Sequence, residues 1–144
     1  MRNKISVLAV LLLMFSAIAC SMEGAGEDGQ SAVAGTERLT GYSIQGIKFA
    51  YYKIDRGLSE AELVETAQKI HDAEPDTQII LVDDDSRLAD YVAYVKAVSG
   101  PGDVSVEMPV EWADEHIVAN VQKYMSGKFV LCKGYGYVEI ADLK

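Results

Sequence analysis

The apolar positions of this chain repeat with two different periods. They alternate at Tyr42 and Ile44, break at Gly46, and resume one residue out of phase at Ile47, Phe49 and Tyr51. Alternation predicts a half-buried strand, and a slip at a glycine predicts either a β-bulge or a turn between two short strands. After Ser59 the period becomes helical. Leu63, Val64, Ala67 and Ile70 fall on one face, Ser59 and Glu62 are spaced as a capping box, and Pro75 stops the helix after Ala73. Thr77 to Val82 is then a short unbroken apolar run, which predicts a strand buried on both faces.

Helical spacing returns from Ser86 to Val98, where Leu88, Tyr91, Val92 and Val95 face one way and Arg87, Asp90 and Lys96 the other. Gly100-Pro101-Gly102-Asp103 ends that helix, and Val104-Ser105-Val106 alternates as a short edge strand. Pro109 opens a third helix at the position where its missing N–H costs least. The stripe of that helix is Val110, Ala113, Ile117, Val121 and Tyr124, and Gly127 is placed to close it. Phe129 to Leu131 predicts a strand, Gly134-Tyr135-Gly136 a turn, and Tyr137 to Leu143 a returning strand in preference to a helical turn. The expected fold is α/β: a single small domain with three helices packed on a mixed sheet of about four strands, in the order β-α-β-α-(β)-α-β-β. Strand, helix and strand in succession imply a right-handed crossover and at least one parallel pair.

The longest apolar run stands outside this pattern. Ile5 to Ile18 is interrupted only by Ser6 and Ser16 and is preceded by Arg2 and Lys4. A positive start, an apolar stretch of this length and small residues at its end make a secretory leader. As a helix the run would reach about 21 Å, short of the roughly 30 Å hydrocarbon core, which disfavours a permanent span. Its end, Ala17-Ile18-Ala19-Cys20, resembles the lipobox of bacterial lipoproteins, with Ala17 where leucine is commoner. The resemblance covers the first twenty residues alone. It implies cleavage before Cys20, lipid on the Cys20 sulfur, and membrane attachment through that lipid. Ser21, in place of aspartate, implies the periplasmic face of the outer membrane if the organism is diderm. Ser21 to Thr36 has four glycines, three acids and no aromatic residue, and predicts a flexible tether. The chain thus divides into a leader (1–19), a lipidated cysteine with its tether (20–37) and a globular α/β domain (38–144).

The net charge of -9 becomes -11 once Arg2 and Lys4 leave with the leader. That balance disfavours nucleic acid and anionic headgroups, both of which need clustered Lys and Arg. With Cys20 committed to lipid, Cys132 in the apolar run after Phe129 is expected to be a buried, inert thiol, and no disulfide supports the fold.

The sharpest polar feature is Asp83-Asp84-Asp85, directly after the buried run and before a helix. Carboxylates at the carboxyl end of a strand suit a hard cation such as Mg²⁺ or Ca²⁺. The competing and favoured reading gives Asp85 or Ser86 to the helix N-cap and the other acids to its dipole. Glu111 to His116 groups acids, Trp112 and an imidazole, but a zincin site needs two histidines four apart, and the two here are His71 and His116. Gly41 to Gly46 misses the spacing of a nucleophile elbow by one residue, and too few residues follow Gly136 for the helix of a dinucleotide site. No motif calls for a cofactor. Eight tyrosines supply amphipathic surface of the kind enriched at interfaces, and Tyr94, off its helical stripe, and Tyr135, at a turn tip, are the candidate contacts. The function expected is that of a lipid-anchored cell-envelope protein, a non-enzymatic interaction or accessory module with the membrane and an envelope protein as partners. The alternative is a metal-binding domain or metal-assisted enzyme centred on Asp83, Asp84 and Asp85.

Overall fold

The computed structural model describes residues 33–100 and 105–144. The leader, Cys20, most of the expected tether and Val104 lie outside the described residues. Among the described residues the elements are β1 (Thr36–Ile44), β2 (Ile47–Ile54), α1 (Glu60–Ala73), β3 (Thr77–Val82), α2 (Leu88–Ser99), α3 (Val110–His116), β4 (Ile117–Lys123), β5 (Phe129–Lys133) and β6 (Val138–Leu143). The strands form one sheet in chain order. Only β2 and β3 run parallel, with α1 crossing between them; every other neighbouring pair is antiparallel.

The period-two pattern decides which side chains meet which helix. Ala50, Tyr52 and Ile54 of β2 and Ile79 and Leu81 of β3 point to one face, where Leu63, Ala67 and Ile70 of α1 cover them. Tyr51, Ile80 and Val82 point to the other, beneath Leu88 and Val92 of α2 and Trp112 and Ala113 of α3. Strand β3 lies between helices on both sides, which is why Ile79 to Val82 are apolar without a break. The start of α1 follows its sequence equally closely. The Ser59 backbone N–H donates to Glu62 Oε2 at 2.8 Å, and the Glu62 N–H donates back to Ser59 Oγ at 3.4 Å. Val33 is buried in the α1-side core and β1 starts at Thr36, so the packed part of the chain includes residues ahead of the expected boundary at residue 38.

The slip at Gly46 is a turn. Ile44 pairs with Ile47, leaving Gln45 and Gly46 as a two-residue hairpin loop with φ of 52° and 82°. Two positive φ values are what the right-handed twist of a tight hairpin requires. Gly46→Ala should therefore destabilise the protein by about 1 kcal/mol, the cost of a left-handed residue carrying a Cβ. Urea denaturation of the two proteins would measure it, and an unchanged midpoint would contradict the strain.

The sheet has six strands, where about four were expected, and the extra pairing comes from two places. The first is the full β1–β2 hairpin. The second overturns the expected third helix, which ends at His116; Ile117 to Lys123 is β4. Ile117, Ala119 and Val121 fit a strand as well as Ile117 and Val121 fit a helix, and the open position between β3 and β5 decides. As a strand the segment pairs on both sides and places Ala119 and Val121 in the α1-side core. Within α3 the buried residues are Trp112 and Ala113, whereas Val110 is 50% exposed. Tyr124 consequently follows a strand instead of ending a helix, and Gly127 sits in the β4–β5 connection with φ of 86°. Ser105 and Val106 form no strand. The run from Val138 to Leu143 is a strand, as the sequence favoured, and Cys132 is fully buried with its thiol pKa pushed up by that burial.

Candidate functional site

The carboxyl end of β3 delivers three consecutive carboxylates, and they diverge. Asp83 turns toward the junction of α3 and β4. Its Oδ1 accepts from His116 Nδ1 at 2.8 Å, its Oδ2 accepts from Arg56 Nε at 3.0 Å, and its backbone N–H donates to the His116 carbonyl at 3.1 Å. Asp84 Oδ1 accepts from the Ser86 N–H at 2.9 Å, from the Trp112 indole N–H at 3.1 Å, and from the Ser86 hydroxyl. Asp85 Oδ1 accepts from Lys53 Nζ at 2.7 Å. Each acid has found its own partner, and among the described residues no three His, Cys, Asp or Glu side chains converge as metal ligands.

The expected N-cap also takes a different form. The N-cap of α2 is Arg87, without a side-chain hydrogen bond, and the Asp85 carbonyl accepts from the Leu88 N–H at 3.2 Å. Asp84 closes a local turn on Ser86 in its place, because its short side chain reaches the N–H two residues on. The donors on Asp84, first the Ser86 hydroxyl, then the Ser86 N–H and the Trp112 indole, hold its carboxyl down at about 2. A carboxyl held below its unfolded value stabilises the fold above about pH 4, and that contribution is lost as pH falls toward 2. Asp84→Asn should flatten the pH dependence of stability across this window. Chemical denaturation at several acidic pH values would check it; a variant with the wild-type slope would remove Asp84 as the cause.

Asp83 and His116 are the most chemically suggestive pair. Their side chains are 10% and 15% exposed, and a carboxylate fixing an imidazole through Nδ1 is the supporting half of a general-base site. Arg56 Nη2 lies 3.3 Å from the same ring nitrogen, and His116 Nε2 is 3.8 Å from Glu115. Among the described residues, no hydroxyl or thiol is hydrogen-bonded to Nε2. The contacts that are made tie the segment after β2, the end of β3 and the end of α3 together.

The two candidate tyrosines are separated. Tyr94 is half-buried on α2. Tyr135 is 42% exposed at its turn tip, yet its hydroxyl donates to Asp114 Oδ1 on α3 at 2.6 Å, which raises its pKa. The turn is held from below by Asn120, whose amide nitrogen donates to the Gly134 and Gly136 carbonyls at 2.7 and 3.1 Å, and by Gln122, which donates to Gly136 at 3.3 Å. Arg56 and Asn120 carried no signal in the sequence, and Asp114 stood out only as one of the acids between Glu111 and His116. Arg56 reaches His116 across sixty positions, and Tyr135 reaches Asp114 across twenty-one. Only the sheet order brings them together.

Compared with protein-family models, curated proteins and solved structures, the chain matches none. Among the described residues no helix is long and apolar enough to cross a membrane.

Proposed function

We propose that this protein is a lipid-anchored interaction module of the cell envelope that carries out no catalysis itself. Residues 1–20 support the address through a positive start, a short apolar run and the Ala19-Cys20 junction. One observation favours binding over catalysis: each carboxylate at the carboxyl end of β3 is already engaged by a donor of the same chain. A reaction centre needs groups left open to a substrate. Aromatic surface is open instead on the turn before β6, where Tyr137 is 77% exposed beside Tyr135.

The outer strands favour docking on turns and faces over docking on edges. Leu39 is an extra residue in β1 against β2, and Ile140 is one in β6 against β5, so both outer strands are bulged. Each also carries charge, Glu37 and Arg38 on one and Glu139 and Asp142 on the other. Bulges and charges are how exposed edges resist pairing with another chain. The test is site-specific photo-crosslinking in intact cells. A crosslinker at Tyr137 should give a discrete protein adduct that the same group at Glu60, on exposed α1, does not give. No adduct at Tyr137, or the same adducts at both positions, would overturn the reading. Alanine at Asp83, Asp84 and Asp85 together should lower stability. A variant that folds as stably as wild type yet loses its cellular phenotype would point to chemistry at that cluster.

A further inference from the structure

The bridge formed by Tyr135 and Asp114 leaves space beneath it. On the face of the sheet opposite α1, α2 covers β2 and β3, and the β5–β6 turn reaches across β4 to α3. Between these two covers lies a cavity of about 130 Å³. Close-packed interiors leave few voids larger than a water molecule. A volume of this order takes one six-membered ring, since an apolar cavity of about 150 Å³ accepts benzene.

The walls specify the chemistry. Tyr51 and Tyr91 present aromatic surface, their rings edge-to-face with centroids 6.3 Å apart. The Tyr51 hydroxyl is engaged by the Tyr42 hydroxyl at 3.0 Å, so Tyr51 offers its ring. Three polar groups are left over. The Asn120 amide nitrogen is used by the turn, but its Oδ1 has no hydrogen-bond partner among the described residues, and neither do the Gln78 amide and the Tyr91 hydroxyl. None of the three is sealed away, because the one buried, unpartnered side-chain polar atom among the described residues is His71 Nδ1. Burial pushes the Tyr91 hydroxyl up to about 12, so it stays protonated and can donate at neutral pH. No charged side chain lines the cavity.

We propose that this cavity is a binding site for an uncharged, single-ring nitrogen heterocycle, a pyrimidine base or a compound of that size and hydrogen-bonding pattern. Its plane lies against one of the two tyrosine rings and meets the other edge-on, since those rings are themselves nearly perpendicular. A ring N–H or amino group donates to Asn120 Oδ1, and a ring carbonyl or nitrogen accepts from the Gln78 amide or the Tyr91 hydroxyl. Aromatic stacking combined with amide readout of a base edge is how pockets hold isolated bases. A nucleotide is disfavoured, because its phosphates would meet no Lys or Arg in the lining and would face a chain of net charge -9. A two-ring base would leave one ring outside the cavity, without these contacts.

The test is titration of the full chain in detergent with cytosine, with uracil, and with benzene as an apolar control, followed by ¹H–¹⁵N NMR. Saturable binding of at least one base is expected, with a dissociation constant of about 1 mM or tighter, the range open to ligands of so few atoms. The largest shifts should fall on the side-chain amides of Asn120 and Gln78. Val95→Trp fills the cavity from α2 and should abolish binding. Gln78→Leu removes one polar partner while keeping the shape, and should weaken binding about tenfold. The proposal is overturned if neither base binds, if benzene binds as tightly as the bases, or if Val95→Trp binds like wild type. Should Val95→Trp fail to fold by circular dichroism, unchanged affinity in Gln78→Leu overturns it alone.

Discussion

Cys20→Ser is expected to release this protein from membranes and to abolish its labelling with palmitate. The size of the effect follows from what else could hold the chain. Each buried methylene stabilises attachment by about 0.8 kcal/mol, so two or three acyl chains on Cys20 would fix the protein in the bilayer, whereas a single chain holds only marginally. Electrostatic attachment offers no substitute. The mature chain would carry -11, and an anionic leaflet attracts proteins only through clustered Lys and Arg. The cleanest measurement keeps the native leader, with Ala17-Ile18-Ala19, ahead of Cys20 in the wild type and places only the serine variant behind an ordinary cleavable leader, so that its export does not depend on the cysteine. The wild-type residue should partition with membranes and take the label, and the serine variant should be soluble and unlabelled. A serine variant that stays in the membrane fraction would refute both the lipid anchor and the lipoprotein reading of residues 1–20.

Local chemistry made some elements legible and left others open. The capping box at Ser59 and Glu62 and the stripe of Leu63, Ala67 and Ile70 define α1 by contacts within one or two turns, and the helix lies where they place it. Strand β3 was equally plain, since a strand covered on both faces has no polar period to hide it. The stretch after Pro109 was ambiguous in a physical sense. Val110, Ala113, Ile117 and Val121 satisfy a helix, while Ile117, Ala119 and Val121 satisfy a strand. What resolves it is pairing of β4 with Leu81, far from it in sequence, on one side and with Leu131, across the hairpin that follows, on the other. The polar cluster divides in the same way. Asp83 to Asp85 stand out in the sequence because they are adjacent, and Trp112 and His116 stand out as a separate group, but nothing local links the two or adds Lys53 and Arg56. Lys53, Arg56, Trp112 and His116 arrive from β2, the segment after it and α3. Adjacency suggested one shared site; the pleat and the turn send the three carboxylates apart.

Trp112→Ala should be the most damaging single change in the folded part of the chain. Trp112 is 6% exposed, with the Tyr91 ring 5.9 Å away on one side and the His116 ring 6.2 Å away on the other. Removing a buried aromatic side chain costs about 3–5 kcal/mol. Domains of this size have about 5–15 kcal/mol in total. Circular dichroism in urea should therefore show a midpoint shifted to much lower denaturant, or no folded baseline at all. Trp112→Phe separates two contributions. It keeps most of the apolar burial but removes the indole N–H from Asp84, a loss of about 1 kcal/mol. With one of its donors gone, the Asp84 carboxyl should titrate above 2, so Trp112→Phe should lose stability at a higher pH than wild type as acid is added. If Trp112→Ala costs less than about 1 kcal/mol, α3 is not part of the cooperative core. If Trp112→Phe leaves the acid transition unmoved, the indole does not hold Asp84, and the turn after β3 rests on Ser86 alone.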